Sequence, residues 1–420
     1  MRNLKKILFL LLIVSLVSSG MLFAAPKKAA NLYLMHDKVG NPDYQPYFLY
    51  TAKVAKKQAG VTFTPVGYPT TDVYQAAIKA SLPTAKAPNI FTWWSTYWAK
   101  DLADQGLLED MTPLWDKHKD EYASGLRKAF TINGKIYGLC WSVEYWPVYY
   151  NKDVFAKNNI AVPKTWAEFI KVCDTLKAKG VTPLNQTVQQ EWPAFIWYEQ
   201  LVAGISPDLY EDLCEGKIKY NDPRMKEAFT LWGDMIKKGY FTDPSTDFFS
   251  DMPRMFNENK LGMILAGTWY YQAQLIEKGV AADKVGFFLL PAVKPNVEKP
   301  LVLECSPIMV SKKGENKKAA LKLADWWMSP KGNAVMAGQT KSFPANLKSD
   351  SSYLPPIKVA MSNAIKNEKV RLVNRFWEAT PNPIMLKINA KLAEFIVNPG
   401  NMDKIISEIQ VISDSYWTKK

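Results

Sequence analysis

Aromatic and acidic side chains that could contact a ligand recur along this sequence. They stand at Asp37, Trp93, Trp94, Glu144 and Trp269. An indole ring offers a flat apolar surface for stacking, and hydrogen bonds to a carboxylate are roughly twice as strong as those between neutral groups. Together they suit a small molecule with an apolar face and a rim of hydroxyl groups. We therefore treat these residues as candidates for ligand contact.

The tryptophans differ in how strongly they favour ligand contact over core packing. Trp93, Trp94 and Trp98 fall within six residues, beside two hydroxyl side chains, and three indoles are hard to bury in one small core layer. Ligand contact is favoured for Trp93 or Trp94, whereas Trp98 is expected to pack within the following helix.

The neighbouring residues in the sequence indicate where Trp269 and the acidic candidates lie relative to the predicted strands. Trp269 follows a predicted strand over residues 261–266 through Gly267, which would set its ring at the carboxyl end of that strand. Glu144 lies among aromatic residues, and its alternative role is a hinge salt bridge. Asp37 follows the first predicted strand and is favoured over His36, because a lone histidine is more often structural.

Residues for catalysis or metal binding are sparse. The chain has two histidines, and Cys140, Cys173, Cys214 and Cys305 form no C-x-x-C pair. Little is left for a histidine-rich metal site or a Ser-His-Asp triad, so no catalytic residue, metal or cofactor is predicted. The cysteines fit either disulfides, with three full pairings open, or four small buried side chains.

The elements that must position these residues follow an α/β pattern, in which short β-rich runs alternate with longer amphipathic ones. The first strands are predicted at 32–35, 61–66 and 89–93, with helices at 46–58 and 73–81 between them. Further along, Asn133-Gly134 predicts a two-residue hairpin, and Thr165 to Glu168 predicts a helical capping box. Asp222-Pro223 is expected to begin another helix, which Gly239 ends.

The amino-terminal residues predict export. Basic residues precede an apolar run over 7–17 that is too short to cross a bilayer, followed by small residues, which is typical of a signal peptide over 1–24. The chain is therefore expected to be secreted, with the periplasm as its compartment, and the absence of a cysteine near the cleavage site argues against a lipid anchor. About 400 remaining residues favour two lobes over a single core.

The net charge of +13 does not indicate a nucleic-acid partner. Of the 53 basic residues only six are arginine, the residue best suited to bidentate phosphate recognition. The lysines are interspersed with acids along predicted helix faces, which is typical of a solvated surface.

Several ordered motifs resemble those of the extracellular solute-binding proteins of ABC sugar importers, the family that includes the maltodextrin-binding proteins. The matching stretches span nearly the whole exported chain and lie at 87–91, 106–112, 133–138, 149–153, 163–169, 256–263, 267–269, 311–320 and 326–330. The most specific is the succession Asn-Gly-Lys-Ile-Tyr-Gly, then Tyr-Asn-Lys-Asp, then Pro-Lys-Thr-Trp. The sequence departs from the pattern at Asn89, Cys140 and Asn259, where aspartate, proline and glycine are usual.

This resemblance implies a two-lobed periplasmic binding protein fold of the class II type, with a mostly parallel, helix-flanked sheet in each lobe. The amino-terminal lobe would comprise 25–142 and 305–347, and the carboxyl-terminal lobe 143–304 and 348–420. The ligand, a mono- or oligosaccharide, would bind between the lobes of a monomer, and hinge closure would present it to membrane permease subunits.

The same resemblance implies ligand contacts for four residues. Glu144 stands where the family has a sugar-contacting glutamate, and Glu191 with Trp192 matches another acidic and aromatic ligand region. Trp377 matches a further stacking aromatic, for which interhelical packing is an equal alternative.

Two alternatives to a carbohydrate-binding protein remain open. The same fold could bind another small solute, such as a polyamine or ferric iron. An exported carbohydrate-active enzyme would need two carboxylates flanking one bond, and Glu144 with Glu191 is the pair the sequence nominates. The sequence does not specify the sugar, its linkage or its length.

Overall fold

The computed structural model describes residues 31–39, 43–190 and 192–418. The predicted signal peptide and Glu191 lie outside the described residues. The strands are β1 (Asn31–His36), β2 (Thr62–Gly67), β3 (Ile90–Thr92), β4 (Thr131–Ile132), β5 (Lys135–Ile136), β6 (Leu139–Tyr145), β7 (Val148–Asn151), β8 (Met263–Leu265), β9 (Val285–Phe288), β10 (Pro300–Val310), β11 (Phe343–Pro344) and β12 (Arg371–Asn374).

Helices connect and cover these strands. They are α1 (Gln45–Ala59), α2 (Thr71–Ser81), α3 (Thr96–Asp104), α4 (Thr112–Lys117), α5 (Ser124–Phe130), α6 (Lys152–Lys157), α7 (Trp166–Ala178), α8 (Phe195–Ile205), α9 (Pro207–Cys214), α10 (Pro223–Lys237), α11 (Asp251–Asn257), α12 (Lys317–Met328), α13 (Pro330–Thr340), α14 (Pro356–Asn367), α15 (Phe376–Ala379), α16 (Asn382–Val397) and α17 (Met402–Trp417). None of the described helices is long and apolar enough to cross a membrane.

The local signals in the sequence correspond to real elements. The three first strands and two first helices lie within two residues of their predicted bounds. The hairpin joins β4 to β5 through Asn133 and Gly134, whose φ angles of 51° and 76° are those that a type I′ turn requires. Helix α10 begins at Pro223, and Gly239 follows its end with φ 68°. These predictions are confirmed.

The capping box at the start of α7 is present in full. The side chain of Thr165 accepts a hydrogen bond from the Glu168 amide at 3.2 Å, and the Glu168 carboxylate accepts one from the Thr165 amide at 3.3 Å. The two side chains thus satisfy amides that an unprotected helix end leaves without partners.

We expect Thr165→Ala to lower the free energy of unfolding by about 1 kcal/mol, because the substitution removes the side-chain acceptor of the cap. Thr175→Ala, a half-buried position inside the same helix, is the matched control and should cost nothing, since alanine is the better helix former. Urea denaturation of both variants measures the difference. Equal stabilities for the two variants would contradict the assignment of this helix start.

The larger sheet has seven strands in the order β11-β6-β10-β3-β1-β2, with β12 paired to β10. Strand β1 lies parallel to β2 and to β3, so the carboxyl ends of these three strands meet at one edge. Ligands of open α/β sheets bind beyond such ends. Asp37 follows β1 and Trp93 follows β3, which places both at this edge.

The smaller sheet has the order β8-β7-β9, and both of its strand pairs are antiparallel. Parallel neighbours occur beside it as single bridges, Thr182 with Leu261 and Leu184 with Phe241. These two helix-flanked sheets agree with the expected α/β architecture, and the β4–β5 hairpin forms a third sheet, but parallel pairing is less extensive than expected. In the larger sheet the reason is that β10, which runs through the predicted crossing between the lobes, lies antiparallel to β3 and to β6.

Strands β6 and β10 pass together through the two places where the sequence predicts that the chain crosses between lobes. Their register pairs Ser142 with Ser306, Val143 with Cys305 and Glu144 with Glu304. The division of the chain into lobes stays a prediction, and these two hydrogen-bonded strands are the hinge that it implies.

Much of the aromatic content is core. Trp98, Trp115, Trp146, Trp197, Trp232 and Trp327 are among the largest fully buried side chains. Trp98 therefore packs inside the protein, as predicted. The four cysteines are buried free thiols, which is the second of the two alternatives that the sequence left open.

Candidate ligand-binding site

A cavity of about 570 Å³ opens beyond the carboxyl ends of β1 and β3. This volume falls within the range of roughly 300–1,000 Å³ that is usual for small-molecule sites. Its walls come from both predicted lobes: the segments after β1 and β3, the start of α2, strands β6 and β10, the segments before α8 and after β8, and the start of α15. The aromatic lining residues are Tyr44, Phe48, Tyr74, Trp93, Trp94, Trp141, Trp192, Phe249, Trp269 and Trp377.

One wall is formed by three indoles from the segment after β3 and from α15, with the fully buried Trp98 of α3 packed behind them. Trp94 is half-buried, whereas Trp93 is buried and donates a hydrogen bond from Nε1 to the Trp98 carbonyl at 3.0 Å. Trp377 stacks on Trp98 with ring centroids 5.3 Å apart and planes 15° apart, and Trp98 Nε1 donates to its carbonyl at 2.7 Å. Trp94 is thus the most available ring, and Trp377 is largely occupied by packing.

A second wall is built around Trp269. Its ring is half-buried and lies 6.4 Å from that of Trp146 and 6.2 Å from that of Phe249. Trp192 is also half-buried and contacts the edge of Trp146 at 6.4 Å. Gly267 allows the Trp269 indole to fold back over the chain, because a Cβ at that position would lie 2.3 Å from the indole Nε1.

We therefore expect Gly267→Ala to displace the Trp269 ring and to cost about 1–3 kcal/mol, as overpacking does. The near-ultraviolet circular dichroism of the indoles should change while the far-ultraviolet spectrum does not. Gly338→Ala is the matched control, since a Cβ there meets the Tyr353 ring at an ordinary 3.5 Å. An unchanged near-ultraviolet spectrum for Gly267→Ala would contradict this placement of Trp269.

Glu304 orients the second wall, and sequence reasoning missed it. Its Oε2 accepts hydrogen bonds from the indole nitrogens of Trp146 at 3.1 Å and Trp269 at 3.2 Å. Its Oε1 lies 2.9 Å from the guanidinium of Arg375. One carboxylate therefore holds two indole rings in place and is paired with a buried guanidinium.

Arg375 also lines the cavity and was not predicted. Its side chain is 8% exposed and is held between Glu304 and Glu378, with Nε donating to the Glu378 carboxylate at 2.9 Å. The guanidinium also lies over the Trp146 ring, 5.7 Å from its centroid. A buried charge costs little only when it is paired and hydrogen-bonded, as here.

Glu144 reaches the cavity, but its carboxylate faces the interior. It accepts a hydrogen bond from the Thr268 hydroxyl and lies 4.0 Å from the buried ammonium of Lys358. Burial raises the pKa of Glu144, and Lys358 opposes that shift. This arrangement is closer to the hinge salt bridge than to a free ligand acceptor.

Asp37 lies at the rim of the cavity beside two partners. Lys38 Nζ lies 3.1 Å from one carboxylate oxygen, and the Thr71 hydroxyl donates to the other at 3.3 Å. His36 is buried and pairs with Gln45 at 2.6 Å, away from the cavity lining. The preference for Asp37 over His36 agrees with their positions.

The structure brings together every described residue among the predicted contacts: Asp37, Trp93, Trp94, Glu144, Trp192, Trp269 and Trp377 line the same cavity. Glu191 is outside the described residues. Ligand contact by each of them stays a prediction. Within the part of the chain that the structure describes, no group of three or more His, Cys, Asp or Glu side chains is arranged to hold a metal ion.

The sequence is similar to those of known solute-binding proteins. Residues 50–366 match the profile of the bacterial extracellular solute-binding proteins. An uncharacterised ABC transporter extracellular-binding protein of Pyrococcus horikoshii is 27% identical over 60% of this chain and 57% of its own length. The osmoprotective compounds-binding protein of Synechocystis is 23% identical over 57% of this chain and 60% of its own length. The chain thus spans about three fifths of the length of these curated relatives.

Solved structures share the fold over nearly the entire chain. A bacterial solute receptor described as preferring β-D-galactopyranose superposes with a TM-score of 0.81 at 19% identity, covering 93% of this chain and 98% of the receptor. A chitin oligosaccharide binding protein gives 0.80 at 22% identity, covering 92% and 99%. The two-lobed α/β fold expected from the sequence is therefore confirmed.

Proposed function

Because this chain belongs to the bacterial extracellular solute-binding protein family, we propose that it is the substrate-binding component of an ABC importer and that its ligand is a carbohydrate. It would capture a mono- or oligosaccharide in the cavity and deliver it to permease subunits in the membrane. Export would follow from the signal peptide predicted at residues 1–24.

The observation that carries the carbohydrate assignment is the pair of tryptophan walls around one cavity. Half-buried rings of Trp94, Trp192 and Trp269 offer stacking surfaces, and Trp269 is held in place by the Glu304 carboxylate. A sugar ring presents apolar C–H faces that such rings can cover. Relatives named as sugar-binding proteins, among them a multiple sugar-binding protein of Streptococcus mutans, support the same choice.

The mechanism is closure around the ligand without covalent chemistry. The lining residues come from both predicted lobes, so a ligand that contacts both favours the closed form through its differential affinity. The paired strands β6 and β10 would act as the hinge, because they run through the predicted crossing side by side. No cofactor is needed for this mode of binding.

We further propose that the protein has no catalytic activity on its ligand. The carboxylate that the sequence nominated for catalysis, Glu144, is buried against Thr268 and Lys358. Glu304 has both oxygens engaged, by two indoles and by Arg375. A glycosidase needs one free general acid and a second free carboxylate beside the scissile bond.

A thermal-shift screen against monosaccharides, oligosaccharides, polyamines and metal ions tests this function. Binding to the folded state alone should stabilise the protein by about 2.7 kcal/mol when the ligand is at 100 times its Kd. We expect stabilisation by one sugar group, with the sugar recovered unchanged by chromatography. Stabilisation by a polyamine or iron alone would refute the ligand class, and conversion of the sugar would refute the non-catalytic role.

A further inference from the structure

The wall of the cavity carries more negative than positive groups, although the whole chain is basic. Among the described residues the charged lining side chains are Asp37, Asp72, Glu144 and Glu304 against Lys38 and Arg375. Behind the wall, Glu378 and Lys358 add one charge of each sign. The chain as a whole has 53 basic and 40 acidic residues. The site therefore has the opposite charge bias from the molecule that surrounds it.

Both cations of the lining are already paired. The ammonium of Lys38 lies 3.1 Å from the Asp37 carboxylate. The guanidinium of Arg375 donates from Nε and one terminal nitrogen to Glu378, while its other terminal nitrogen faces Glu304 at 2.9 Å. A carboxylate on a ligand would have to displace one of these acids to gain a bidentate partner.

Asp72 adds a carboxylate that no cation compensates. It lies in the first turn of α2 with its side chain exposed, and the ion pairs of the described residues do not include it. Hydrogen bonds from the Thr70 side chain and the Val73 amide lower the pKa of Asp72. An exposed aspartate is ionised at neutral pH, so Asp72 adds a negative charge to the cavity lining.

The carboxylate of an acidic sugar would lose its hydration on entering this cavity and would be repelled by the carboxylates of the wall. A neutral sugar of the same shape loses only hydroxyl hydration, which the lining polar groups can replace. The two ligands differ only at C6, where a carboxylate replaces the hydroxymethyl group, so the wall distinguishes them through that one position.

We propose that the cavity selects carbohydrates by charge, accepting neutral sugars and rejecting the corresponding uronic acids; this inference rests on the proposed function. The selection arises from the excess of carboxylates and from the prior pairing of Lys38 and Arg375. We expect a uronic acid to bind about 100-fold more weakly than its neutral counterpart, because placing like charges against each other costs several kcal/mol.

Calorimetric titration with matched ligands tests the proposal. Glucose, galactose and their β-1,4-linked disaccharides would be compared with the same sugars oxidised at C6 to the carboxylate, at pH 7.5. Tight binding of a neutral sugar with a 100-fold or greater loss for its uronate is the expected result. Comparable or tighter binding of the uronate would overturn charge selection and leave the proposed function standing. Binding of neither, here and across the wider sugar panel, would overturn both.

A charge reversal in the wall separates electrostatics from shape. Asp72→Lys should raise the ratio of uronate to neutral-sugar affinity by about tenfold or more, because it supplies an unpaired cation. Asp120→Lys is the matched control, since Asp120 is exposed and does not line the cavity. An unchanged ratio in Asp72→Lys, or an equal rise in the control, would show that the wall charges do not set the preference.

Discussion

Arg375→Met should lower the free energy of unfolding by about 3–5 kcal/mol, because it leaves two carboxylates buried without their cation. The Arg375 side chain is 8% exposed, and those of its partners Glu304 and Glu378 are 16% and 3% exposed. Methionine keeps much of the volume of the side chain, so the loss reflects charge and hydrogen bonding more than a cavity. Chemical denaturation monitored by far-ultraviolet circular dichroism measures the effect.

Two further variants separate the buried network from ordinary surface pairing. Arg254 forms an exposed ion pair with Asp251, so Arg254→Met should cost less than about 1 kcal/mol. Adding Glu378→Gln to Arg375→Met should recover part of the lost stability, because one unpaired carboxylate becomes neutral. A loss in Arg375→Met no greater than that in Arg254→Met would contradict the role given to this network.

Trp269→Ala should weaken sugar binding by about 30-fold or more, which corresponds to about 2 kcal/mol, the usual threshold for a dominant contact. The ring is half-buried in the free protein and held by Glu304, so little order is lost when a sugar stacks on it. Isothermal titration calorimetry with the sugar found in the screen measures the change.

Trp166→Ala is the matched control for the loss of an indole. Trp166 is also half-buried, but it packs on Phe169 at the start of α7, outside the cavity lining. Its replacement should leave the affinity within about twofold of the wild type, since it removes no surface from the site. Equal losses in both variants would indicate a general effect on folding and would remove Trp269 from the binding surface.

The elements of the fold could be predicted because their signals are local. The capping box joins Thr165 to Glu168, and the hairpin depends on Asn133 and Gly134 alone. The extent of parallel pairing was overestimated, because the direction of a strand such as β10 depends on where its distant neighbours β3 and β6 lie.

The candidate site could be predicted in its aromatic part and less well in its charged part. A tryptophan directly after a predicted strand can be nominated for ligand contact from its residue type and its position, as Trp269 was. The pairing of Glu304 with Arg375 joins residues far apart in sequence, and neither has a neighbouring motif that marks it. Likewise, the stacking of Trp98 on Trp377 explains why the latter is buried, which sequence spacing could not reveal.

A crystal structure of the chain without its first 24 residues, in complex with the best-binding sugar, would test directly whether a sugar binds between the tryptophan walls. We predict one sugar ring against Trp269 inside the cavity, with contacts from both lobes and with the Glu304–Arg375 pair intact. A sugar bound elsewhere on the protein, or a sugar in the cavity without contact to the tryptophan walls, would contradict the proposed carbohydrate site.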